Sequence, residues 1–148
     1  MTGTTLATLL LLEDDIVFAR LLMDSLDQAG YAVIHAAKMQ DALDLLVDHP
    51  IDLVITDVFI KHGMKYTPEG GLLFLTRLRA SPGLSRYRGL PVIAISGAIY
   101  TPGTQNLLQI ALDHGADRVL AKPFLPGDLI LAVETLLGSG RVPSVAVY

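Results

Sequence analysis

The residues of this chain best suited to chemistry all stand directly after apolar runs. Asp57 closes Ile51-Asp52-Leu53-Val54-Ile55-Thr56, and the acids Glu13-Asp14-Asp15 follow Leu9-Leu10-Leu11-Leu12. Ser96 follows Pro91-Val92-Ile93-Ala94-Ile95, and Lys122 follows Val119-Leu120-Ala121. Singly, each has an ordinary explanation. An aspartate at a strand end can cap the next turn, acids before a helix meet the positive end of its dipole, and a lysine or serine in a loop can be plain surface. Their shared position carries more weight. Parallel strands buried on both faces read as near-continuous Val/Ile/Leu runs, and open α/β sheets hold their chemistry just beyond the carboxyl ends of those strands. If the strands lie side by side, the acids and Lys122 converge.

Carboxylates crowded into one crevice repel one another and bind protons more tightly unless a cation is present. The chain has no cysteine and no suitably spaced histidine, so an oxygen-only site suits Mg²⁺, with Mn²⁺ as a substitute, and leaves coordination positions for a phosphoryl group. With its charge compensated, Asp57 can serve as a nucleophile toward such a group. Lys122 and the Ser96 hydroxyl are the donors available for the charge on the transferring group.

The elements that must position these groups follow from the apolar periodicity. A first strand is expected over Leu6 to Leu12, a helix over Ile16 to Ala29 stopped by Gly30, a second strand over Tyr31 to Ala36, and a helix over Met39 to Asp48 ended by Pro50. The Asp57 strand is the third. A long loop, residues 58–69, then leads to a helix beginning near Gly70 or Gly71 that buries Leu72, Leu75 and Leu78, with Ser81-Pro82-Gly83 as its breaker. Thr101-Pro102 reads as the N-cap and first position of a fourth helix running to about His114. The fifth strand covers Arg118 to Ala121, and Pro126 opens a fifth helix ending near Gly138. Five strand–helix alternations imply right-handed crossovers and a parallel sheet covered on both faces. Residues 1–138 form one domain on this reading. Residues 139–148 form a short tail with no output domain, in which Val145-Ala146-Val147 could be a linker, a disordered end or a docking strand.

Composition narrows the function. The chain has 148 residues, enough for one domain, and its hydrophobic fraction of 51% suits a sheet covered on both faces. No apolar run approaches the roughly 20 residues that span a bilayer. No Lys or Arg precedes the first apolar run, so a secretory leader is not expected and the chain is read as cytoplasmic. A net charge of −4 argues against direct nucleic-acid binding, although Arg77, Arg79, Arg86 and Arg88 lie close together. Those arginines read as a solvated helix end and loop. His35, His49 and His114 read as structural or solvated.

Four stretches together resemble the receiver domain of two-component response regulators: Leu11-Leu12-Glu13-Asp14-Asp15, Asp52-Leu53-Val54-Ile55-Thr56-Asp57-Val58, Pro91-Val92-Ile93-Ala94-Ile95-Ser96-Gly97-Ala98, and Gly115-Ala116-Asp117-Arg118-Val119-Leu120-Ala121-Lys122-Pro123-Phe124. The resemblance covers Leu6 to Gly138. It implies a flavodoxin-like (βα)5 fold, a doubly wound five-stranded parallel sheet of order 2-1-3-4-5. It also implies that Asp57 accepts a phosphoryl group from the phosphohistidine of a sensor histidine kinase or phosphotransfer protein. Glu13, Asp14, Asp57 and the backbone carbonyl of Phe59 would hold Mg²⁺, with Asp15 a less certain third acid. Ser96 would reorient toward the phosphoryl group, Lys122 would pair with its oxygens, and the Lys122–Pro123 peptide would be cis. The implied role is a signalling switch acting on a downstream protein target, with only its own phosphorylation and slow dephosphorylation as chemistry. The fourth helix, fifth strand and fifth helix form the implied partner or homodimer face, with Ile130 and Leu131 left exposed on it.

The chain departs from the receiver pattern in three places. Lys61 stands where a proline usually follows the acceptor, and Gly71 comes several residues late, so the loop after Asp57 is enlarged. This loop carries Lys61, His62 and Lys65, and reads as a kinase-docking element, a lid or a tolerated insertion. Val119 occupies the usual aromatic switch position. Phe59 and Ala98 occupy the positions that tune dephosphorylation; being apolar, they cannot orient an attacking water, which implies a long-lived phosphoryl state. Rival readings are a pseudo-receiver acting as a phosphorylation-independent interaction module, a haloacid-dehalogenase-type phosphatase and a flavodoxin-like cofactor binder. Phe59 stands where the phosphatase needs a second aspartate, and the acidic first loop would repel a cofactor phosphate.

Overall fold

The computed structural model describes residues 6–58, 60–62, 65–67, 69–97, 107–138 and 144–145. In chain order the elements are β1 (Thr8–Leu12), α1 (Ile16–Gln28), β2 (Ala32–Ala36), α2 (Met39–Asp48), β3 (Leu53–Asp57), β4 (Ile60–His62), β5 (Lys65–Thr67), α3 (Glu69–Ala80), a 3₁₀ helix (Pro82–Tyr87), β6 (Val92–Ser96), α4 (Leu107–Asp113), β7 (Arg118–Ala121), α5 (Pro126–Gly138) and β8 (Ser144–Val145). The five expected strands are β1, β2, β3, β6 and β7. They pair in parallel as β2-β1-β3-β6-β7, which is the 2-1-3-4-5 order. The expected start of the fourth helix at Thr101-Pro102 lies outside the described residues.

Alternation along each strand sorts side chains into two cores. Leu9, Leu11, Leu53, Ile55, Ile93 and Ile95 face α1 and α5, while Leu10, Leu12, Val54, Val92, Ala94 and Val119 face α2, α3 and α4. Strands buried on both sides have no polar face to show, which is why their sequences are continuously apolar. Phe74 joins Leu75 and Leu78 as a fully buried residue of α3, with Leu72 only partly buried. No helix among the described residues is long and apolar enough to cross a membrane.

Several expectations change or are resolved. The enlarged loop is in part a β-hairpin: β4 and β5 pair antiparallel in the register Ile60↔Thr67, Lys61↔Tyr66 and His62↔Lys65. Three residues per strand are too few for a period-two pattern to stand out, although Ile60, Tyr66 and Thr67 suit strands. The tail contributes β8, which adds a sixth strand parallel to β7 with Arg118↔Ser144 and Val119↔Val145. On α5, Leu131 is half exposed, whereas Ile130 packs against the core facing α1.

Arg79 is not a solvated helix-end charge. From the last turn of α3 it donates to the carbonyls of Arg88, Leu90 and Gly115 and to Asp117 Oδ2. The same Asp117 oxygen accepts from the backbone N–H of Val92 at 2.8 Å. One guanidinium thus ties α3, the turn before β6 and the α4–β7 turn at the amino end of the sheet. Gly115 suits both demands at that turn: its φ is +111°, and an added Cβ would lie 2.7 Å from Arg79 Cγ.

Candidate phosphoacceptor site

Parallel pairing brings the ends of β1, β3, β6 and β7 to one edge. Leu12 is level with Thr56, Asp57 with Ile95, and Ser96 with Ala121. The residues just past these ends therefore share one crevice despite their separation in sequence. Glu13 follows β1, and its backbone N–H donates to the Ala36 carbonyl at 3.0 Å. Its own carbonyl is engaged by His35 Nε2 at 2.7 Å, so β2 fixes Glu13 from both sides of its peptide. Asp57 is the last residue of β3, and the next N–H, of Val58, donates to the Ile95 carbonyl at 2.9 Å. Lys122 follows β7, held by its N–H on the Ser96 carbonyl at 2.8 Å, and the Lys122–Pro123 peptide is cis.

At the centre, Lys122 Nζ donates to Asp57 Oδ2 at 2.7 Å and to Glu13 Oε1 at 2.9 Å. Both carboxylates are almost completely buried, while the lysine side chain keeps a quarter of its surface exposed. Burial, and then the charge of Asp57, push the Glu13 carboxyl from its ordinary 4.5 up to about 8, against the pull of Lys122. Burial alone would lower the Lys122 ammonium; the two carboxylates outweigh it and hold the group above its ordinary value. Glu13, Asp14 and Asp57 each bring a carboxylate oxygen within 4.8 Å of the others, and the only cation hydrogen-bonded to Glu13 and Asp57 among the described residues is Lys122.

This donor set fits Mg²⁺: all oxygen and carboxylate-rich, the ligand chemistry that a hard divalent cation takes. Asp15 lies outside the cluster. Its side chain accepts from the Phe18 N–H at 3.0 Å and caps α1, a signal already present as an aspartate immediately before a helix. Phe59 and Ala98 lie outside the described residues. Ser96 is buried at the end of β6, and Val119 is fully buried between Ala94 of β6 and Val145 of β8.

Sequence reasoning passed over Phe18. Its ring centroid stands 4.5 Å from Lys122 Nζ and meets the ring of Phe124 edge-on, with centroids 5.8 Å apart and planes at 75°. In the sequence Phe18 has only the helical spacing of a core residue.

The chain belongs to the response regulator receiver domain family, whose pattern it matches over residues 9–134. CpxR of Escherichia coli, a transcriptional regulatory protein, is 31% identical over 87% of this chain and 48% of its own length. Among solved structures, the receiver domain of NtrX from Brucella abortus superposes with a TM-score of 0.74 at 25% identity, covering 89% of this chain and 99% of that one. The chemotaxis protein CheY4 of Vibrio cholerae gives 0.69 at 26% identity, covering 86% and 96%. The chain spans about half the length of curated relatives such as CpxR. Receiver domains act as signalling switches in two-component systems and bind Mg²⁺ through acidic residues.

Proposed function

We propose that this domain is a phosphoacceptor switch in which Asp57 takes a phosphoryl group from the phosphohistidine of a sensor histidine kinase or phosphotransfer protein. The observation that carries this reading is the contact of Lys122 with both Asp57 and Glu13, at 2.7 and 2.9 Å, inside a cluster of three acids. In the transfer, an Asp57 carboxylate oxygen forms a bond to phosphorus as the phosphorus–nitrogen bond to the donor imidazole breaks. The imidazole leaves with the electron pair and takes up a proton. Mg²⁺ bound by Glu13, Asp14, Asp57 and the Phe59 carbonyl would neutralise charge on the transferring oxygens. Lys122, already on Asp57, is placed to pair with those oxygens, and the buried strand ends limit water at the nucleophile.

The new charge at Asp57 biases a pre-existing equilibrium of the switch face. Ser96 responds on β6, next to Asp57's strand, and the change spreads to α4, β7 and α5, where a downstream protein or a second copy docks. Val119 is too small to act as a rotating ring, so displacement of α4 carries the signal. Residues 1–138 form the switching unit and act through protein contacts rather than by binding nucleic acid.

Incubation with acetyl phosphate and Mg²⁺, followed by intact-mass measurement, tests the assignment. Native protein is expected to gain one phosphoryl mass, and Asp57→Ala or metal-free samples none. Absence of the gain in native protein under all conditions would overturn the reading in favour of a phosphorylation-independent interaction module.

A further inference from the structure

Lys122 is the longest-stemmed side chain of the site. Its four-carbon stem carries a large rotamer entropy, and a quarter of the side chain is open to solvent. Two carboxylate oxygens define where its ammonium goes in the resting state, but both belong to the acids that a metal and a phosphoryl group would engage. A ring lies beside it as well. Phe18 lies in the first turn of α1, where its N–H is fastened to the Asp15 side chain at 3.0 Å, and its centroid stands 4.5 Å from Lys122 Nζ. The ring is itself braced: Phe124, two residues beyond Lys122, meets it edge-on at 5.8 Å. The brace and the lysine therefore hang from the same short segment.

From this geometry we infer that Phe18 is a positioning residue for phosphoryl acceptance, its π face holding the Lys122 ammonium over Asp57 when the acids change partners. The inference rests on the phosphoacceptor reading of Asp57. An aliphatic side chain at Phe18 would fill the space but offer no electron-rich face, so the two possibilities separate by chemistry rather than by volume. The interaction is also stronger here than on open surface, because Glu13 and Asp57 beside it are buried and part of the ammonium is already withdrawn from water.

Two measurements on the full chain decide it. In proton NMR, a ring face at this distance moves the Lys122 Hε and Hζ signals upfield. The shift is expected in native protein and in Phe18→Tyr, and is expected to vanish in Phe18→Leu. In labelling by acetyl phosphate with Mg²⁺ under conditions where every variant is fully folded, Phe18→Leu is expected to slow the rate about 3- to 10-fold, with Phe18→Tyr within about 2-fold of native. The loss should disappear when Phe18→Leu is made in Lys122→Met protein, since only the pair is at stake. If Phe18→Leu does not fold, Phe18→Met takes its place. Ordinary Lys122 shifts in native protein, equal slowing by Leu and Tyr, or a native labelling rate in Phe18→Leu would each overturn the inference. A native protein that takes no phosphoryl group sinks the Asp57 reading instead, and with it the role in acceptance, while the NMR arm still reports whether Phe18 holds Lys122.

Discussion

Gly71 of α3 packs directly on the backbone of Asp57: a Cβ added to it would overlap the Asp57 carbonyl oxygen and lie 2.7 Å from Val58 Cα. Receivers usually place a glycine sooner after the acceptor, and here β4 and β5 intervene. The hairpin is thus inserted between the acceptor strand and the glycine without removing their contact. Because the obstructing atoms are backbone, they cannot rotate away. Gly71→Ala is expected to destabilise the domain by about 1–3 kcal/mol or more, the range for overpacking a filled site, read as a lower urea midpoint. A change within about 0.5 kcal/mol, the level of an ordinary surface substitution, would show that α3 is free to shift.

The raised Glu13 carboxyl makes stability depend on pH in a defined direction. In the unfolded chain Glu13 ionises near 4.5, whereas in the folded metal-free protein it does so near 8. Its contribution is fully present below about pH 4.5 and is lost as pH rises through about 8, because the unfolded chain releases a proton that the fold retains. The full shift corresponds to a ceiling on the order of 5 kcal/mol. Metal-free native protein should therefore lose this part of its stability between about pH 5 and pH 8, and Glu13→Gln should flatten that slope. Mg²⁺ should raise the melting temperature more at pH 8 than at pH 6, since it favours the ionised acid. Thermal melts across this range, with and without Mg²⁺, check both statements; an equal slope in Glu13→Gln would assign the pH dependence elsewhere.

Removing Arg79 should be costly although it lies far from the acceptor. Arg79→Ala leaves Asp117 without its guanidinium and three backbone carbonyls without their side-chain donor. The expected loss is about 3 kcal/mol, in the range found when one partner of a largely buried pair is removed. Arg77→Ala, an exposed neighbour on the same turn, serves as the control and should change stability little. Denaturant unfolding of the two variants side by side makes the comparison.

Phe59 and Ala98 lack the polar atoms needed to orient a hydrolytic water. Once labelled and freed of donor, Asp57 is expected to keep its phosphoryl group well beyond seconds. Phe59→Asn or Ala98→Glu should shorten that lifetime by offering a hydrogen-bonding group. Intact mass followed over time after desalting gives the rate, and loss within seconds in native protein would contradict the expectation.

Much of this protein was legible in its sequence because the sheet is buried on both faces. Such strands must be continuously apolar, and each run ends at the polar residue that faces the crevice, so Glu13, Asp57, Ser96 and Lys122 mark both fold and site. The structure adds what depends on atoms meeting across the chain. Arg79 finds carbonyl partners as distant as Gly115, which no local pattern announces. Asp15 separates from Glu13 and Asp14 because its side chain caps the first turn of α1; its place before the helix allows that role, and the folded turn decides between cap and ligand. Phe18 has the spacing of a core residue, and only the packing of α1 against the β7–α5 connection turns its face toward Lys122. The hairpin and β8 are too short for periodicity to declare, and their hydrogen bonds are made by backbone groups common to every sequence. Apolar pattern determined the sheet and the candidate reactive groups; side-chain direction and backbone approach, which exist only in the folded chain, decided how those groups are held.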